Sequence, residues 1–205
     1  MPHTKHASAR ENEFTSGTIL ITGISASGKS TLGRSLFDDL LRNGFKKVEL
    51  VDGEAFRERL RASGKEYGYS TEDRNAVLRE TTRFALERNN LGYVCIVCTI
   101  AHVRTTRESI RERIGDFMEV YLDCPVEACA ERDEKGQYSK AFAGGYDNFV
   151  GVAEPYQRSE HVELTLNTAR STIEECSSIL LNEVLIFLRK EEKTSTLRPT
   201  GISDT

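Results

Sequence analysis

The chain has 205 residues, which suits one domain of ordinary size with enough apolar residues for a single core. Its formal net charge of −4 gives no electrostatic basis for binding to nucleic acid or to a membrane surface. No apolar run approaches the roughly 18 residues that a membrane-spanning helix requires. We therefore expect a single domain whose partners are neither nucleic acid nor membrane.

Both ends of the chain are polar. Residues 1–16 lack the hydrophobic segment of a secretory signal, and residues 190–205 are polar throughout. We predict a flexible polar tail at each end of a folded domain, residues 17–189. The cysteines are odd in number, which argues for reduced thiols in a cytoplasmic protein. They are Cys95, Cys98, Cys124, Cys129 and Cys176.

The first predicted element is a short apolar strand, residues 18–21, followed at once by a glycine-rich loop. Residues 23–30, GISASGKS, fit the phosphate-loop pattern G-x-x-x-x-G-K-[ST]. Beyond Lys29, leucines recur every three or four residues, which predicts a helix that ends at Asn43-Gly44. This order of strand, loop and helix is the context that the motif requires.

Each residue type in the loop has a chemical reason. Gly23 and Gly28 can adopt backbone angles closed to other residues, so that successive N–H groups form an anion-binding nest at the helix start. We expect Lys29 to reach the β- and γ-phosphates of a nucleotide, and Ser30 to ligate Mg²⁺. The alternative is a glycine-rich turn that matches the motif by chance, and the flanking strand and helix argue against it.

A second apolar run, residues 48–52, ends in Asp52 at the carboxyl edge of a predicted strand. In a parallel sheet the phosphate loop emerges at the same edge, so Asp52 is expected near the metal. Glu54 adds a second carboxylate, and Arg57 lies one turn into the next helix. The alternative is a helix N-cap, in which Asp52 or Glu54 serves the free N–H groups of the first turn.

The next segment, residues 64–73, is polar and contains glycines and tyrosines. Ser70 or Thr71 makes a good start for a helix from about residue 72 to residue 90. Arg74 and Arg79 lie on that helix. An arginine fork suits phosphate or sulfate oxygens, although a solvated helix face is the more usual place for an arginine.

The third predicted strand covers residues 93–99. Cys95 and Cys98 spell C-x-x-C, but alternation along a strand puts them on opposite faces, so we interpret them as packed core thiols rather than as a metal or redox pair. His102 follows at the strand-to-helix edge, where ligands bind in such sheets. A lone histidine is more often a structural hydrogen bonder, and both interpretations stay open.

A fourth strand, residues 117–122, leads to Pro125 near the start of a helix. Residues 131–151 then carry Arg132, Lys135 and Lys140 among glycines and aromatics, a composition typical of a mobile lid that closes on phosphates. A plain solvated loop of that length without a role would be unusual.

A fifth strand is predicted at residues 162–166, before a helix at 172–188. The apolar side of that helix is expected to carry Ile173, Cys176, Ile179, Leu180, Val184 and Phe187. Strands and helices thus alternate along the chain, which predicts an α/β fold: a five-stranded parallel sheet with helices on both faces and a lid. Ligands should gather at the carboxyl edge of the strands.

The motifs together resemble those of the adenylylsulfate kinase family, over about residues 17–188. D-G-D-x-x-R is matched by residues 52–57, G-F-S-x-E-D-R by 68–74, R-D-x-K-G-x-Y-x-K-A by 132–141, and N-F-x-G by 148–151. The resemblance implies the P-loop kinase fold. It also implies an ATP- and Mg²⁺-dependent enzyme that phosphorylates the 3′-hydroxyl of adenosine 5′-phosphosulfate, a small nucleotide substrate, and a possible homodimer.

The resemblance also implies roles for particular residues. Catalysis would use Lys29, Asp52 and Glu54, with Glu54 placed to take or orient the proton of the attacking hydroxyl, and the metal ligands would be Ser30 and Asp52. The acceptor adenine would lie between Tyr69 and Phe149. The full acceptor set would be Arg57, Tyr69, Arg74, Lys140 and Phe149. ATP would contact Gly23, Ser25, Ala26, Ser27, Gly28, Lys29, Ser30 and Thr31 of the loop, with Arg132 of the lid against its base.

The departures from the family pattern lie mostly where the acceptor would be recognised. Val77 replaces an asparagine, Ala101-His102 replace Ser-Pro, Phe142 replaces an arginine, and Glu54 is one methylene longer than the usual aspartate. A site built on polar contacts discriminates strongly through them. Two alternatives therefore stay open: a kinase for another small nucleotide-like acceptor, such as a cytidine diphosphoramidate, and a nucleotide-binding module without turnover.

Overall fold

A computed structural model describes residues 14–189. The strands are β1 (Gly17–Thr22), β2 (Val48–Asp52), β3 (Val94–Cys98), β4 (Phe117–Asp123) and β5 (Leu164–Asn167). The long helices are α1 (Lys29–Arg42), α2 (Gly53–Ala62), α3 (Thr71–Asn90), α4 (Arg104–Ile114) and α7 (Ile173–Leu188). Two short helices, α5 (Val126–Glu131) and α6 (Gln137–Phe142), lie between β4 and β5.

The five strands form one parallel sheet in the order β2-β3-β1-β4-β5. β1 is central, with Ile19 beside Ile96 of β3 on one side and Met118 of β4 on the other. Parallel strands direct all their carboxyl ends to one edge, so the loops after β1, β2 and β3 meet there. The predicted five-stranded parallel sheet is confirmed.

Alternating side chains of β1 enter two different cores. Ile19 and Ile21 pack with Leu36 of α1 and Leu180 of α7 on one face of the sheet. Leu20 packs on the other face against α2, α3 and α4. Each such fully buried aliphatic side chain stabilises the fold by about 1.5–3 kcal/mol relative to exposure. The sheet is therefore held from both sides, as its apolar strands predicted.

The cysteines in the described part of the chain are free and buried. Cys95 belongs to the α3 side of the sheet and Cys98 to the α1 side. Burial raises the pKa of both thiols to about 12, so that they stay protonated. The interpretation of the C-x-x-C pair as core thiols on opposite faces is confirmed.

Helix ends follow local sequence signals closely. The Ser70 hydroxyl accepts from the Asp73 amide at the start of α3, and Thr172 forms a capping box with Glu175 at the start of α7. Asn43 closes α1, as predicted.

The strand bounds differ from the sequence prediction by up to two residues, and part of the predicted apolar side of α7 is exposed. β5 covers Leu164–Asn167 rather than residues 162–166. Ile173 and Ile179 are exposed rather than part of the buried side of α7. The reason is that the buried stripe of α7 repeats every four residues, and these isoleucines lie off it; the stripe is Cys176, Leu180, Val184 and Leu188.

Part of the predicted N-terminal tail lies against the domain. Phe14 bridges to Arg189, and its ring lies 4.8 Å from that of Phe45. The domain boundary at residue 17 stays a prediction, and residues 1–13 and 190–205 lie outside the described chain. Within residues 14–189 no helix combines the length and hydropathy needed to cross a membrane.

Candidate functional site

The phosphate loop joins β1 to α1 and has the backbone that its glycines predicted. Gly23 has φ 150° and Gly28 has φ 100°, both in the region that favours glycine. A Cβ atom on Gly23 would lie 2.8 Å from Ser27 Oγ and 2.9 Å from the Leu122 carbonyl oxygen, so the loop closes only with glycine there. Gly28 precedes α1 without a side-chain cap, which leaves the first N–H groups of α1 available to an anion.

Lys29 is the first residue of α1 and points back over the loop. Its Nζ donates to the Ile24 carbonyl at 2.5 Å. Burial lowers the pKa of Lys29 to about 8, because water no longer solvates the ammonium group. A nearby phosphate would favour the charged form again.

Two clefts meet at the phosphate loop. The first, of about 490 Å³, lies between the loop and the start of α7 and is lined by residues 26–32 with Thr168 and Ser171. The second, of about 320 Å³, lies over the carboxyl ends of β2 and β3 and includes Tyr69 and Arg74. Lys29, Ser30 and Arg132 line both clefts. A group passing from one cleft to the other would therefore pass Lys29.

Ser30 and Asp52 are in contact at this junction. The Ser30 hydroxyl donates to Asp52 Oδ2 at 2.5 Å. Asp52 Oδ1 accepts from the Glu54 and Ala55 amides at 3.0 and 3.4 Å, which caps α2. The capping and metal interpretations are thus compatible, since each uses a different oxygen. In residues 14–189 no group of three or more acids, histidines or cysteines could hold a metal alone, and Mg²⁺ commonly takes one or two protein oxygens plus phosphate and water.

The second cleft carries a cluster of arginines around one aromatic ring. Arg57 and Arg74 lie over the Tyr69 ring, at 4.6 and 5.7 Å from its centroid. The Tyr69 hydroxyl donates to Glu54 Oε2 at 3.2 Å. Burial raises the pKa of Tyr69, and the Glu54 charge adds to that increase. The two cations and the carboxylate therefore meet at one tyrosine.

The positions of both arginines are fixed by backbone carbonyls. Buried Arg57 donates to the Gly68 carbonyl at 2.6 Å, and Arg74 Nε donates to the Tyr69 carbonyl at 2.8 Å. Because these partners are neutral, the cluster keeps its positive charge for an anionic ligand.

The segment predicted to be a lid packs on the phosphate loop. Tyr138 of α6 is 1% exposed, and its hydroxyl donates to the Ser25 carbonyl at 2.9 Å. This contact shows that the segment is not a plain solvated loop, while its mobility stays a prediction. Tyr138 was not among the predicted site residues, although an aromatic residue in a polar stretch was a usable signal.

Arg132 lies between the two clefts. Its Nη2 donates to the Thr168 carbonyl at 2.8 Å, and Nη1 lies 3.6 Å from Cys124 Sγ. The Thr168 hydroxyl in turn donates to the Ser27 carbonyl at 2.9 Å. Thr168 thus links the arginine to the phosphate loop, and nothing in the local sequence indicated it.

In the described part of the chain, neither Lys140 nor Phe149 lines either of the two clefts. Lys140 is exposed on α6, and Phe149 is buried edge-on against Tyr138 at 4.9 Å. Arg74 of the second cleft donates from Nη2 to the Asn148 carbonyl at 3.3 Å. Phe149 is the next residue along the chain from this contact. The adenine sandwich of Tyr69 and Phe149 stays a prediction.

The residues that depart from the family pattern fall in different places. Val77 and Ala101 line the second cleft, whereas Phe142 is 59% exposed beside Tyr138. His102 is buried, and its Nε2 lies 2.9 Å from Glu154 Oε2. The structural interpretation of His102 as a hydrogen bonder is therefore supported.

A phosphate loop on the central strand of a parallel sheet, with an acid at the carboxyl end of β2 on the same edge and a lid segment, defines a P-loop kinase. The family model for adenylylsulphate kinase matches residues 15–167. The chain belongs to the adenylylsulfate kinase family.

Individual relatives agree with this assignment. The adenylyl-sulfate kinase of Synechococcus sp. (strain JA-3-3Ab) is 36% identical over 167 residues, covering 82% of this chain and 93% of the relative. That of Halothermothrix orenii is 37% identical, covering 78% and 85%. The structure of Mycobacterium tuberculosis APS kinase CysC in complex with AMPPNP and APS has a TM-score of 0.75 and 31% identity, covering 83% of this chain and 98% of that one.

Proposed function

We propose that this protein transfers the γ-phosphoryl group of ATP to the 3′-hydroxyl of adenosine 5′-phosphosulfate, releasing ADP. The observation that carries the proposal is the junction of the two clefts. Lys29 and the Ser30–Asp52 pair lie between a loop built for phosphates and a cluster built for a second anion. Phosphoryl transfer depends on such positioning and charge neutralisation more than on covalent chemistry.

The first cleft suits ATP. Gly23, Gly28 and the amides at the start of α1 would hold the phosphates, and Lys29 would place its charge on the γ-phosphoryl group. Arg132, held by Thr168, would lie against the base.

Ser30 Oγ and Asp52 Oδ2 are hard oxygen donors in direct contact, a donor set that fits Mg²⁺ beside the phosphates. When bound there, Mg²⁺ neutralises charge that develops on the β- and γ-phosphate oxygens. The Asp52 carboxylate keeps one oxygen for this role because the other caps α2.

The second cleft suits the acceptor. Arg57 and Arg74 would bind its phosphosulfate, and the exposed ring of Tyr69 would stack on its adenine. Lys140 and Phe149 are proposed to join this site from the lid side. Tyr69 also orients Glu54 through their hydrogen bond.

The step itself balances without any further reactant. The acceptor 3′-oxygen attacks the γ-phosphorus, the bond from that phosphorus to the β,γ-bridging oxygen breaks, and ADP leaves with the bond's electron pair. Glu54 accepts or orients the proton of the attacking hydroxyl. Lys29 stabilises the charge on the moving group.

A different acceptor is the second candidate. Val77 and Ala101, two of the departures from the family pattern, line the second cleft and present apolar surface there. A related nucleotide such as a cytidine diphosphoramidate would use the same chemistry with other contacts. A module without turnover is less favoured, because Lys29, Ser30, Asp52 and Glu54 all line the second cleft.

The test is an acceptor screen that measures ADP release with Mg²⁺ and ATP. Adenosine 5′-phosphosulfate is compared with adenosine monophosphate and with cytidine diphosphate derivatives, and Lys29→Ala is the control. We expect adenosine 5′-phosphosulfate to give the largest kcat/KM. A larger value for a cytidine acceptor would overturn the assignment of the acceptor, and no turnover with any of them would overturn the kinase itself.

A cytoplasmic location, a homodimer and the absence of nucleic-acid and membrane partners are proposed on the sequence alone. The acidic net charge and the odd number of cysteines support the location and the absence of those partners, whereas the homodimer is only what the family resemblance implies.

A further inference from the structure

Three side chains from separate segments meet behind the second cleft. They are Thr71 at the start of α3, His102 in the loop after β3, and Glu154 in the turn after the lid segment. His102 Nε2 lies 2.9 Å from Glu154 Oε2. The Thr71 hydroxyl donates to Glu154 Oε1 at 2.9 Å and to Oε2 at 3.0 Å. His102 is 4% exposed, whereas Thr71 and Glu154 are half-buried, so the cluster lies at the edge of the protein interior.

The chemistry fixes which group donates. An ionised carboxylate only accepts, so the Thr71 hydroxyl and His102 Nε2–H must both donate to Glu154. Burial, the largest cause, lowers the pKa of His102, Arg74 and Arg107 lower it further, and Glu154 opposes them. The ring is therefore neutral near pH 7 and has one N–H, which it gives to Glu154.

Arg74 lies one turn along α3 from Thr71. Its own hydrogen-bond partners are the carbonyls of Tyr69 and Asn148, both neutral. Among residues 14–189 no carboxylate forms an ion pair with Arg74 within 4.0 Å. Of the neighbouring acids, Glu154 is the one whose charge raises the pKa of Arg74 most, against the larger lowering by burial. Arg74 thus stays unpaired beside an acid that is already satisfied by two other donors.

We infer that Thr71 and His102 are positioning residues: they hold the Glu154 carboxylate away from Arg74, so that the Arg74 guanidinium stays available for the acceptor's anion. The inference rests on the proposed function of the second cleft. An arginine that pairs with a carboxylate loses the charge-assisted donors that an incoming phosphate or sulfate needs. A partly buried carboxylate that loses its hydrogen-bond donors is stabilised by pairing with the nearest unpaired cation.

The other nearby cation cannot take that place. Arg107 is 0% exposed and already pairs with Glu119 at 2.9 Å. It also donates to the Ala101 and Gln157 carbonyls, which fixes the loop that carries His102. Arg74 is therefore the cation to which a released Glu154 would turn.

The cluster of Thr71, His102 and Glu154 is specific to this chain and is not part of the family's motifs. The position of His102 is the proline of Ser-Pro in the family pattern, and a proline has no side-chain donor. Thr71 occupies a position that the pattern leaves variable. Thr71 and His102 thus influence acceptor binding from positions close to Val77 and Ala101, the cleft residues that depart from the family pattern.

The test is a double-mutant cycle on steady-state kinetics with adenosine 5′-phosphosulfate. His102→Leu removes the donor, and we expect the acceptor KM to rise about tenfold while kcat and the ATP KM change little. Adding Glu154→Gln to that variant removes the competing charge, and the acceptor KM should return to within about threefold of wild type. His102→Gln keeps a donor and should resemble wild type. His161→Leu, at an exposed histidine outside the cluster, is the matched control.

The outcomes separate the possibilities. Competition for Arg74 predicts rescue by the second substitution, whereas a purely structural role predicts that the double variant is as impaired as His102→Leu or worse. Lack of rescue, or an unchanged acceptor KM in His102→Leu, overturns the inference. If His102→Leu fails to fold, Thr71→Val with and without Glu154→Gln gives the same comparison. If wild type does not use adenosine 5′-phosphosulfate, the proposed function fails, and the cycle is run with the acceptor that the screen identifies.

Discussion

Gly33 allows α1 to approach β3 directly behind the phosphate loop. A Cβ atom on Gly33 would lie 2.2 Å from Cys98 Sγ, far inside any normal contact, while its next neighbour, Leu50 Cδ1, would be at 3.4 Å. Cys98 is 3% exposed, so its thiol has little room to move. Gly33→Ala should therefore overpack the core at one atom, the sulfur.

The expected cost follows from that geometry. Overpacking of a core costs about 1–3 kcal/mol, and a contact with one buried side chain suggests about 2 kcal/mol. The better helix propensity of alanine offsets about 1 kcal/mol of that cost, so the net loss is about 1 kcal/mol. For a domain of this size that lowers the melting temperature by about 2–4 °C. Cys98→Ala alone removes one buried atom and should cost about 1 kcal/mol, or about 2–4 °C.

The double variant distinguishes this reasoning from general intolerance. Without the sulfur, the next Cys98 atom is the Cβ at 3.8 Å, an ordinary contact. Alanine is also better than glycine in a helix interior by about 1 kcal/mol. The double variant should melt no lower than Cys98→Ala, as measured by circular dichroism and confirmed by urea unfolding. A double variant whose losses simply add, or a Gly33→Ala variant as stable as wild type, would refute the argument.

Three further predictions concern the junction and the second cleft. Lys29→Ala should lower ADP release at least about 100-fold without changing the melting temperature, because charge on the transferred group is lost; an equal rate would contradict its role. Glu54→Gln should lower kcat about 100-fold and leave ATP affinity by titration unchanged, whereas a change confined to affinity would argue against a role in proton transfer. Arg57→Lys keeps the charge but loses the planar group that stacks on Tyr69, so the acceptor KM should rise about tenfold. Arg79→Lys, exposed on α3, is its control, and an equal effect of both would show that the cleft is not involved.

Local sequence patterns predicted the phosphate loop and the strands because their causes are local. Gly23 and Gly28 are required by the backbone of one short loop, and the apolar run before them is required by a central strand. Asp52 was predicted near the metal that Ser30 would ligate because parallel strands end at a common edge, and the 2.5 Å contact between Ser30 and Asp52 agrees. The caps of α3 and α7 also depend only on neighbouring residues.

Other features depend on contacts between distant segments, which no local pattern specifies. Tyr138 reaches Ser25 across 113 residues of sequence, and Thr168 reaches Ser27 across 141. The exposure of Ile173 and Ile179 depends on how α7 is rotated against the sheet. The position of Phe149 beside Tyr138 depends on how the lid segment packs.

The sequence by itself determined the kinase class, the sheet and the residues at the phosphate loop, because these follow from motif spacing and from backbone requirements within a few residues. Only the tertiary structure decided that His102 and Thr71 share Glu154, that Arg132 lies between the two clefts, and that Arg74 is held by neutral carbonyls. Those relations are set by the packing of segments far apart in the chain, where hydrogen bonds are chosen by distance in space rather than by spacing in sequence.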